Sequence, residues 1–102
     1  MKSINYKKTN DHIISFEGFI DSIEDAATVS EIFDKISKDK PENIIINLEK
    51  AEYINSSILG VFMKYYRLMP YSKISIKCCN PYIRDLLRIT ALDKFFILDP
   101  SE

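Results

Sequence analysis

The chain has 102 residues, of which 46% are hydrophobic and 28% charged, and its formal net charge is −1. This length suits one domain with its own core and leaves no room for a second. With 14 basic and 15 acidic residues, the chain has no excess of positive charge that would favour nucleic acid or an anionic membrane surface as a partner. No apolar run could span a bilayer, and the N-terminal segment lacks the apolar stretch of a signal peptide, so we expect a cytoplasmic protein.

Two strands and a helix are predicted in the first part of the chain. Ile4 to Lys8 is a strand candidate, and His12 to Phe19 is another because its apolar residues alternate until Gly18 ends the run. Ser22 and Asp25 have the spacing of a capping box, which starts a helix. The helix is supported by apolar residues at helical spacing, namely Val29, Ile32, Phe33 and Ile36.

The middle of the chain predicts a third strand and a second helix. Asn43 to Leu48 is a short β-branched run without alternation, which is typical of a strand buried on both faces in a partly parallel sheet. The second helix should begin at Asn55 or Ser56 and run to about Met69, because Pro70 stops it.

Three more elements complete the predicted order. Lys73 to Lys77 alternates as a strand, Asn80-Pro81 has the pattern of a helix start, and Phe95 to Leu98 is a last short strand. The resulting order, β-β-α-β-α-β-α-β, predicts an α/β fold with a mixed sheet covered by helices.

The second helix has an unusually narrow polar stripe. On a helical wheel Ser56, Gly60 and Arg67 fall close together, with Ser57 and Lys64 beside them. The other positions up to Met69 are apolar or aromatic, so the helix is mostly buried or keeps apolar surface for a partner. A glycine within a helix costs about 1 kcal/mol relative to alanine, which suggests an offsetting contact such as the close approach of another backbone.

The serines at the start of this helix have two interpretations. Asn55 and Ser56 are both good N-cap residues, and capping alone explains them. A helix N-terminus also has free N–H groups and the positive end of the dipole, so it tolerates a phosphate. A phosphoserine there would add nearly two negative charges to a neutral surface and decide whether a partner docks.

Three segments resemble the STAS domain family, typified by bacterial anti-sigma factor antagonists. NIIINLEKAEYINSSILGV resembles the family's apolar strand, short turn and serine-containing helix start. EGFID, at 17–21, resembles the end of the family's second strand, and RDLLRITALDKFF, at 84–96, resembles its closing helix and turn. Both glycines of the chain, Gly18 and Gly60, fall on family glycine positions. The resemblance implies one STAS-like domain over residues 1–102, with a mixed four- to five-stranded β-sheet packed by α-helices.

The resemblance also implies a binding module, not an enzyme, with no catalytic residues, metal or cofactor. In the antagonist branch the unphosphorylated domain binds a serine-kinase anti-sigma factor, an ATPase of the histidine-kinase-like fold, and phosphorylation of the motif serine ends binding. That serine corresponds to Ser56, with Ser57 as the second candidate. The implied partner-binding residues are Asp21, Asn55, Ser56, Ser57, Ile58, Gly60 and Lys64.

Three positions depart from the family pattern. Asn55 stands where the family has aspartate, so it keeps the cap but lacks a carboxylate that could position the serine for a kinase. Ile58 and Ala91 stand at family glycine positions, and Ile58 is expected to place a large side chain beside the site. Asn55 and Ile58 favour an alternative, a STAS adaptor subunit that is never phosphorylated and belongs to a signalling or lipid-transport complex. A third interpretation is a nucleotide or small-ligand sensor, but nothing in the sequence predicts a pocket for such a ligand.

The remaining candidates have structural explanations. His12 is predicted as a surface residue at a strand end, and the adjacent Cys78 and Cys79 argue against a structural disulfide. Tyr65 and Tyr66 are expected in core and interface packing, not in ligand stacking. An exposed sheet edge and the apolar residues of the second helix would allow a homodimer.

Overall fold

Five strands form a single mixed sheet in the computed structural model, which describes residues 2–78 and 80–100. The strands are β1 (Ser3–Lys8), β2 (His12–Ile20), β3 (Asn43–Ile54), β4 (Lys73–Cys78) and β5 (Ile97–Pro100). The helices are α1 (Ile23–Lys38), α2 (Ser56–Leu68) and α3 (Pro81–Ile89), and a 3₁₀ turn, Leu92–Lys94, precedes β5. This order confirms the predicted β-β-α-β-α-β-α-β arrangement.

The sheet order follows the chain order, β1-β2-β3-β4-β5. β1 pairs antiparallel with β2, whereas β2, β3, β4 and β5 are parallel neighbours. Parallel neighbours need crossover connections, and α1, α2 and α3 supply them. Because right-handed crossovers that all advance in one direction lie on one side, the three helices share a face of the sheet.

The core lies between the helices and that face, and it corrects the prediction for β3. Ile44, Ile46 and Leu48 are fully buried, but Ile45 and Asn47, which point to the opposite face, are only half-buried. β3 is therefore central and parallel to both neighbours, as predicted, yet it is not buried on both faces. Because isoleucine occupies successive positions, the sequence does not show that burial alternates along this strand.

β2 ends at Ile20, one residue beyond the predicted Phe19, and Gly18 does not interrupt it. This glycine has a φ of 84°, and the pairing with β3 shifts register between Ser15 and Glu17 and again between Gly18 and Phe19. A bulge of this kind accommodates a left-handed residue without ending the strand. The pairing resumes at Phe19 opposite Tyr53, so β2 and β3 end at the same edge of the sheet.

The helix starts follow the predicted capping chemistry. Ser22 Oγ accepts a hydrogen bond from Asp25 N at 3.0 Å, and the Asp25 carboxylate accepts one from Ser22 N at 3.1 Å, which completes the capping box of α1. Asn80 caps α3 by accepting from Tyr82 N at 2.8 Å. Its amide also donates to the carbonyl oxygens of residues 51 and 52, so α3 is tied to the end of β3.

The last predicted strand is displaced along the chain. β5 begins at Ile97 instead of Phe95, because the 3₁₀ turn and a bend occupy the residues before it. Ala91, at the start of that turn, has a φ of 63°. This left-handed conformation explains why the family pattern has glycine at the corresponding position.

His12 and Cys78 are both buried. His12 was predicted at the surface, but it is 4% exposed, stacks on Tyr6 with ring centroids 5.7 Å apart, and its Nδ1 is hydrogen-bonded to the Tyr6 hydroxyl. Its Nε2 lies 3.7 Å from the carboxylate of Asp39. Cys78 is a core residue at 1% exposure, while Cys79 lies outside the described residues.

Candidate functional site

Asn55 joins the start of α2 to the end of β2. Its Oδ1 accepts a hydrogen bond from Ile58 N at 3.1 Å, which is the N-cap contact, and its Nδ2 donates to the carbonyl oxygen of Asp21 at 2.9 Å. An aspartate could accept the first bond but could not donate the second. The departure from the family motif therefore has a structural reason, since asparagine satisfies both contacts.

Asp25 fixes the same junction from the other side. Its carboxylate accepts from the backbone N of Asp21 at 3.0 Å and of Ser22 at 3.1 Å, and from Lys2 Nζ at 2.9 Å. Burial acts to raise the pKa of Asp25, but the hydrogen bonds from Lys2 and Ser22 outweigh it and hold this pKa below its ordinary value. The bond from Lys2 to Asp25 also raises the pKa of the Lys2 ammonium group. Asp21 is thus held through its N–H by Asp25 and through its carbonyl by Asn55.

The contribution of Lys2 was not predicted. The capping-box spacing identified Asp25, but no local pattern signals that Lys2, 23 residues earlier, reaches this carboxylate. Lys2 also lies 3.7 Å from the Asp21 carboxylate, whose side chain is 50% exposed. The junction therefore presents an acidic side chain at the surface while its backbone is immobilised.

Ser56, Ser57, Gly60 and Lys64 form an exposed strip along α2, which we call the serine surface. Ser56 and Ser57 are the first two residues of the helix, and the first turn contains no acidic residue. The positive end of the helix dipole is therefore not neutralised by a side chain of that turn. The structure brings Asp21 and Asn55 next to this strip through the hydrogen bond between them.

Ile58 does not belong to that surface. Its side chain is fully buried in the core, so it neither flanks Ser56 nor is available to a partner, and its place among the predicted partner-binding residues is corrected. The apolar face of α2 points inwards at Ile58, Leu59, Phe62 and Tyr65. The helix thus uses its apolar residues mainly for the core.

Gly60 faces open space. A Cβ atom placed on it would meet no atom within 4 Å, so the predicted close approach of another backbone is not found within the described part of the chain. The free-energy cost of a glycine within a helix is therefore not offset by a contact with any residue in 2–78 or 80–100. Because Gly60 has no side chain, the middle of the serine surface is flat at this position.

The tyrosines of α2 have packing roles, as predicted. Tyr65 is 1% exposed, stacks on Phe33 with centroids 5.1 Å apart, and donates a hydrogen bond to the Asp34 carboxylate at 2.6 Å. Burial, reinforced by that bond, raises the pKa of the Tyr65 hydroxyl. Tyr66 is half-buried and makes edge contacts with Phe95 and Phe96.

Residues 2–78 and 80–100 contain neither a metal-ligand cluster nor a helix that could span a membrane. No group of three or more His, Cys, Asp or Glu side chains there is arranged to hold a metal ion. Within the same ranges, every helix is too short or too polar to cross a membrane.

The chain belongs to the STAS domain family, whose model matches residues 3–102. No curated protein matched the chain. Among solved structures, an anti-sigma factor antagonist from Mycobacterium paratuberculosis is similar at 20% identity and a TM-score of 0.87, covering 99% of this chain and 87% of that one.

Two structures of the antagonist SpoIIAA are also similar. The unphosphorylated form matches at 14% identity and a TM-score of 0.74, covering 100% of this chain and 90% of that one. The phosphorylated form, from Bacillus, matches at 18% identity and a TM-score of 0.68, covering 100% and 92%. At these identities the similarity establishes a common fold.

Proposed function

We propose that this domain is a cytoplasmic, non-enzymatic anti-sigma factor antagonist whose binding to a serine-kinase anti-sigma factor is controlled by phosphorylation of Ser56. The observation that carries the proposal is the exposure of Ser56 at the first residue of α2, next to the immobilised junction of Asp21 and Asn55. SpoIIAA, which has the same fold, is known in an unphosphorylated and a phosphorylated form, and this supports a phosphorylation cycle here.

A phosphate on Ser56 is compatible with folding. It would lie at the positive end of the α2 dipole, with no acidic side chain in the first turn to repel it. Ser56 is exposed, and the cap contact is made by Asn55, so modification of Ser56 leaves the capping hydrogen bond in place. Phosphorylation therefore changes the surface and not the core.

The same phosphate would oppose a docked partner. It adds nearly two negative charges and three strong acceptor oxygens to a strip of two hydroxyls, a glycine and one lysine. A partner that covers this strip would have to desolvate the phosphate, which costs far more than desolvating a hydroxyl. The proposed docking surface is the serine surface with Asp21 and Asn55, and Gly60 allows a partner backbone to approach closely.

One observation favours the second candidate function, a STAS adaptor that is never phosphorylated. Asn55 makes two hydrogen bonds that aspartate could not both make, so this position serves the rigidity of the junction instead of supplying a carboxylate for a kinase. Ile58 does not favour the adaptor, because its side chain is buried and does not lie beside Ser56. The adaptor would remain in a stable signalling or lipid-transport complex, regardless of ATP or phosphatase.

Binding to a kinase-type anti-sigma factor from the same cells, measured by calorimetry, tests the proposal. We expect Ser56→Ala to bind like the wild type and Ser56→Glu to bind at least about tenfold more weakly, since burying an unpaired charge in the interface costs more than about 1.4 kcal/mol. Asn43→Asp is the matched control, because it adds one negative charge at an exposed position at the beginning of β3, the strand end opposite Asn55.

Three results separate the candidates. Equal affinities for Ser56→Glu and Asn43→Asp would refute control at Ser56. A larger loss with Ser57→Glu than with Ser56→Glu would assign the site to Ser57. No phosphate transfer to the domain in the presence of the partner and ATP, together with a stable complex, would support the adaptor.

A further inference from the structure

A groove of about 290 Å³ lies at the end of α2 that is opposite Ser56. Its apolar walls come from Tyr66 on α2, Ile74 on β4, Phe95 just before β5 and Ile97 at the beginning of β5. Phe95 is 47% exposed and Ile97 is 52% exposed, so the groove is open to solvent on this side. Large apolar side chains at this level of exposure in one concave place are typical of a ligand or partner site.

Two cations stand at the same groove. Arg67 and Lys73 both line it and are exposed, and no acidic residue lies among its lining residues in the described part of the chain. Neither cation forms an ion pair with any described residue. An apolar groove with two unpaired positive charges has the chemistry that recognises an anion with an apolar body.

The walls of the groove are fixed in place by the fold. The Tyr66 ring packs edge-on against Phe95 and Phe96, at centroid distances of 5.5 and 5.3 Å, and Phe96 is buried. The loop that follows α2 is held by a hydrogen bond from the Ser72 hydroxyl to the Pro41 carbonyl oxygen. A ligand would therefore meet an arrangement that exists before it binds, which reduces the entropy lost on binding.

We propose that this groove binds a small amphipathic carboxylate, with the carboxylate at Arg67 and Lys73 and the apolar body against Tyr66, Phe95 and Ile97. The planar guanidinium of Arg67 suits a carboxylate because it can donate two parallel hydrogen bonds. The volume is at the lower limit of ligand pockets, which range over about 300–1,000 Å³, so the body is a medium-length acyl chain or one aromatic ring. This inference is independent of the proposed function, since it uses no residue of the serine surface.

A titration with sodium octanoate followed by ¹H–¹⁵N NMR spectra tests the inference. Saturable shifts are expected for the amides of Tyr66, Arg67, Lys73, Phe95 and Ile97. Acetate carries the charge without the chain and 1-octanol carries the chain without the charge, so each should bind more weakly than octanoate. Octanol that binds as tightly as octanoate would overturn the role of the cations.

A pair of double variants gives the matched comparison. Replacing Arg67 and Lys73 by glutamine should weaken octanoate binding by roughly fivefold, as expected for loss of two partly exposed ion pairs. Replacing Lys35 and Lys38 on α1 by glutamine removes the same charge elsewhere and should leave the affinity within about twofold. All four side chains are exposed, so both variants should give the spectrum of a folded protein.

The remaining outcomes would overturn the proposal. Octanoate shifts that do not saturate, or that map away from the groove, would mean that no carboxylate site exists there. Shifts of the groove amides with protein concentration alone, without octanoate, would assign the groove to contact between two copies of the chain. If both double variants bound octanoate equally weakly, the lost affinity would be an effect of net charge, and Arg67 and Lys73 would have no specific role.

Discussion

Variants of Asn55 distinguish the energetic contributions of the two hydrogen bonds that define the junction between β2 and α2. Asn55→Ser retains an oxygen that can cap Ile58 N but loses the donor to Asp21 O. Asn55→Ala loses both contacts. A lost N-cap costs about 1 kcal/mol, and a partly exposed hydrogen bond between two neutral groups contributes about 1 kcal/mol. We therefore expect the free energy of unfolding to fall by about 1 kcal/mol in the serine variant and about 2 kcal/mol in the alanine variant.

Urea unfolding of the wild type and of both variants measures these differences. With an m-value of about 1–3 kcal/mol per molar urea, a loss of 2 kcal/mol moves the midpoint by roughly 1 M. Asn55→Asp should also lose about 1 kcal/mol, because it keeps the cap but turns a carboxylate oxygen towards the Asp21 carbonyl. If the serine and aspartate variants unfold at the wild-type midpoint, the bond to Asp21 contributes nothing and the rigid junction is refuted.

Four other substitutions test the backbone at Gly60, Gly18 and Ala91 and the charge of Asp25. Gly60→Ala should raise the free energy of unfolding by up to about 1 kcal/mol, because the new methyl group meets no atom within 4 Å; a lower urea midpoint would contradict this. Gly18→Ala should lower it by about 1–2 kcal/mol, because its φ is 84°, and unchanged stability would mean that the bulge relaxes. Ala91→Gly should raise it by about 1 kcal/mol, because φ is 63° there, and the same urea assay shows the opposite sign if this strain is absent. Asp25→Asn should lower stability at neutral pH and flatten its acid dependence. The folded-state pKa of Asp25 lies below its ordinary value of 3.8, so the ionised carboxylate contributes stability above that value, and this contribution is lost as the pH falls through the lowered pKa. Stability curves of the wild type and Asp25→Asn that run parallel from about pH 6 to about pH 2 would disprove this account.

The elements of the fold were predictable because their signals are local. The capping box of Ser22 and Asp25 and the caps of Asn55 and Asn80 act within three residues of chain, so their spacing alone locates three helix starts. The positions of Gly60 and Lys64 on an exposed strip of α2 also follow from helical periodicity. These signals are sufficient to predict that Ser56 lies at the surface, where the structure has it.

The contacts that complete the site were not predictable, because they join distant parts of the chain. Asn55 and Asp21 are separated by 34 residues, and the hydrogen bond between them needs β2 and β3 to end at one edge. His12 has the same parity along β2 as the buried Ile14 and Phe16, so the alternation does indicate its burial. Its contacts with Tyr6 and Asp39 depend on neighbouring elements, which that alternation does not reveal. The groove at Arg67 and Lys73 depends on how the segment before β5 packs on α2.

The phosphorylation state of Ser56 in the protein isolated with its partners from its own cells tests the central claim most directly. Intact mass and phosphopeptide mapping should find one population heavier by a single phosphate, located on Ser56 and separate from the kinase partner. They should also find an unmodified population bound to that partner. An unmodified protein held in one stable complex would contradict the claim and leave the serines as part of a docking surface that carries no phosphate.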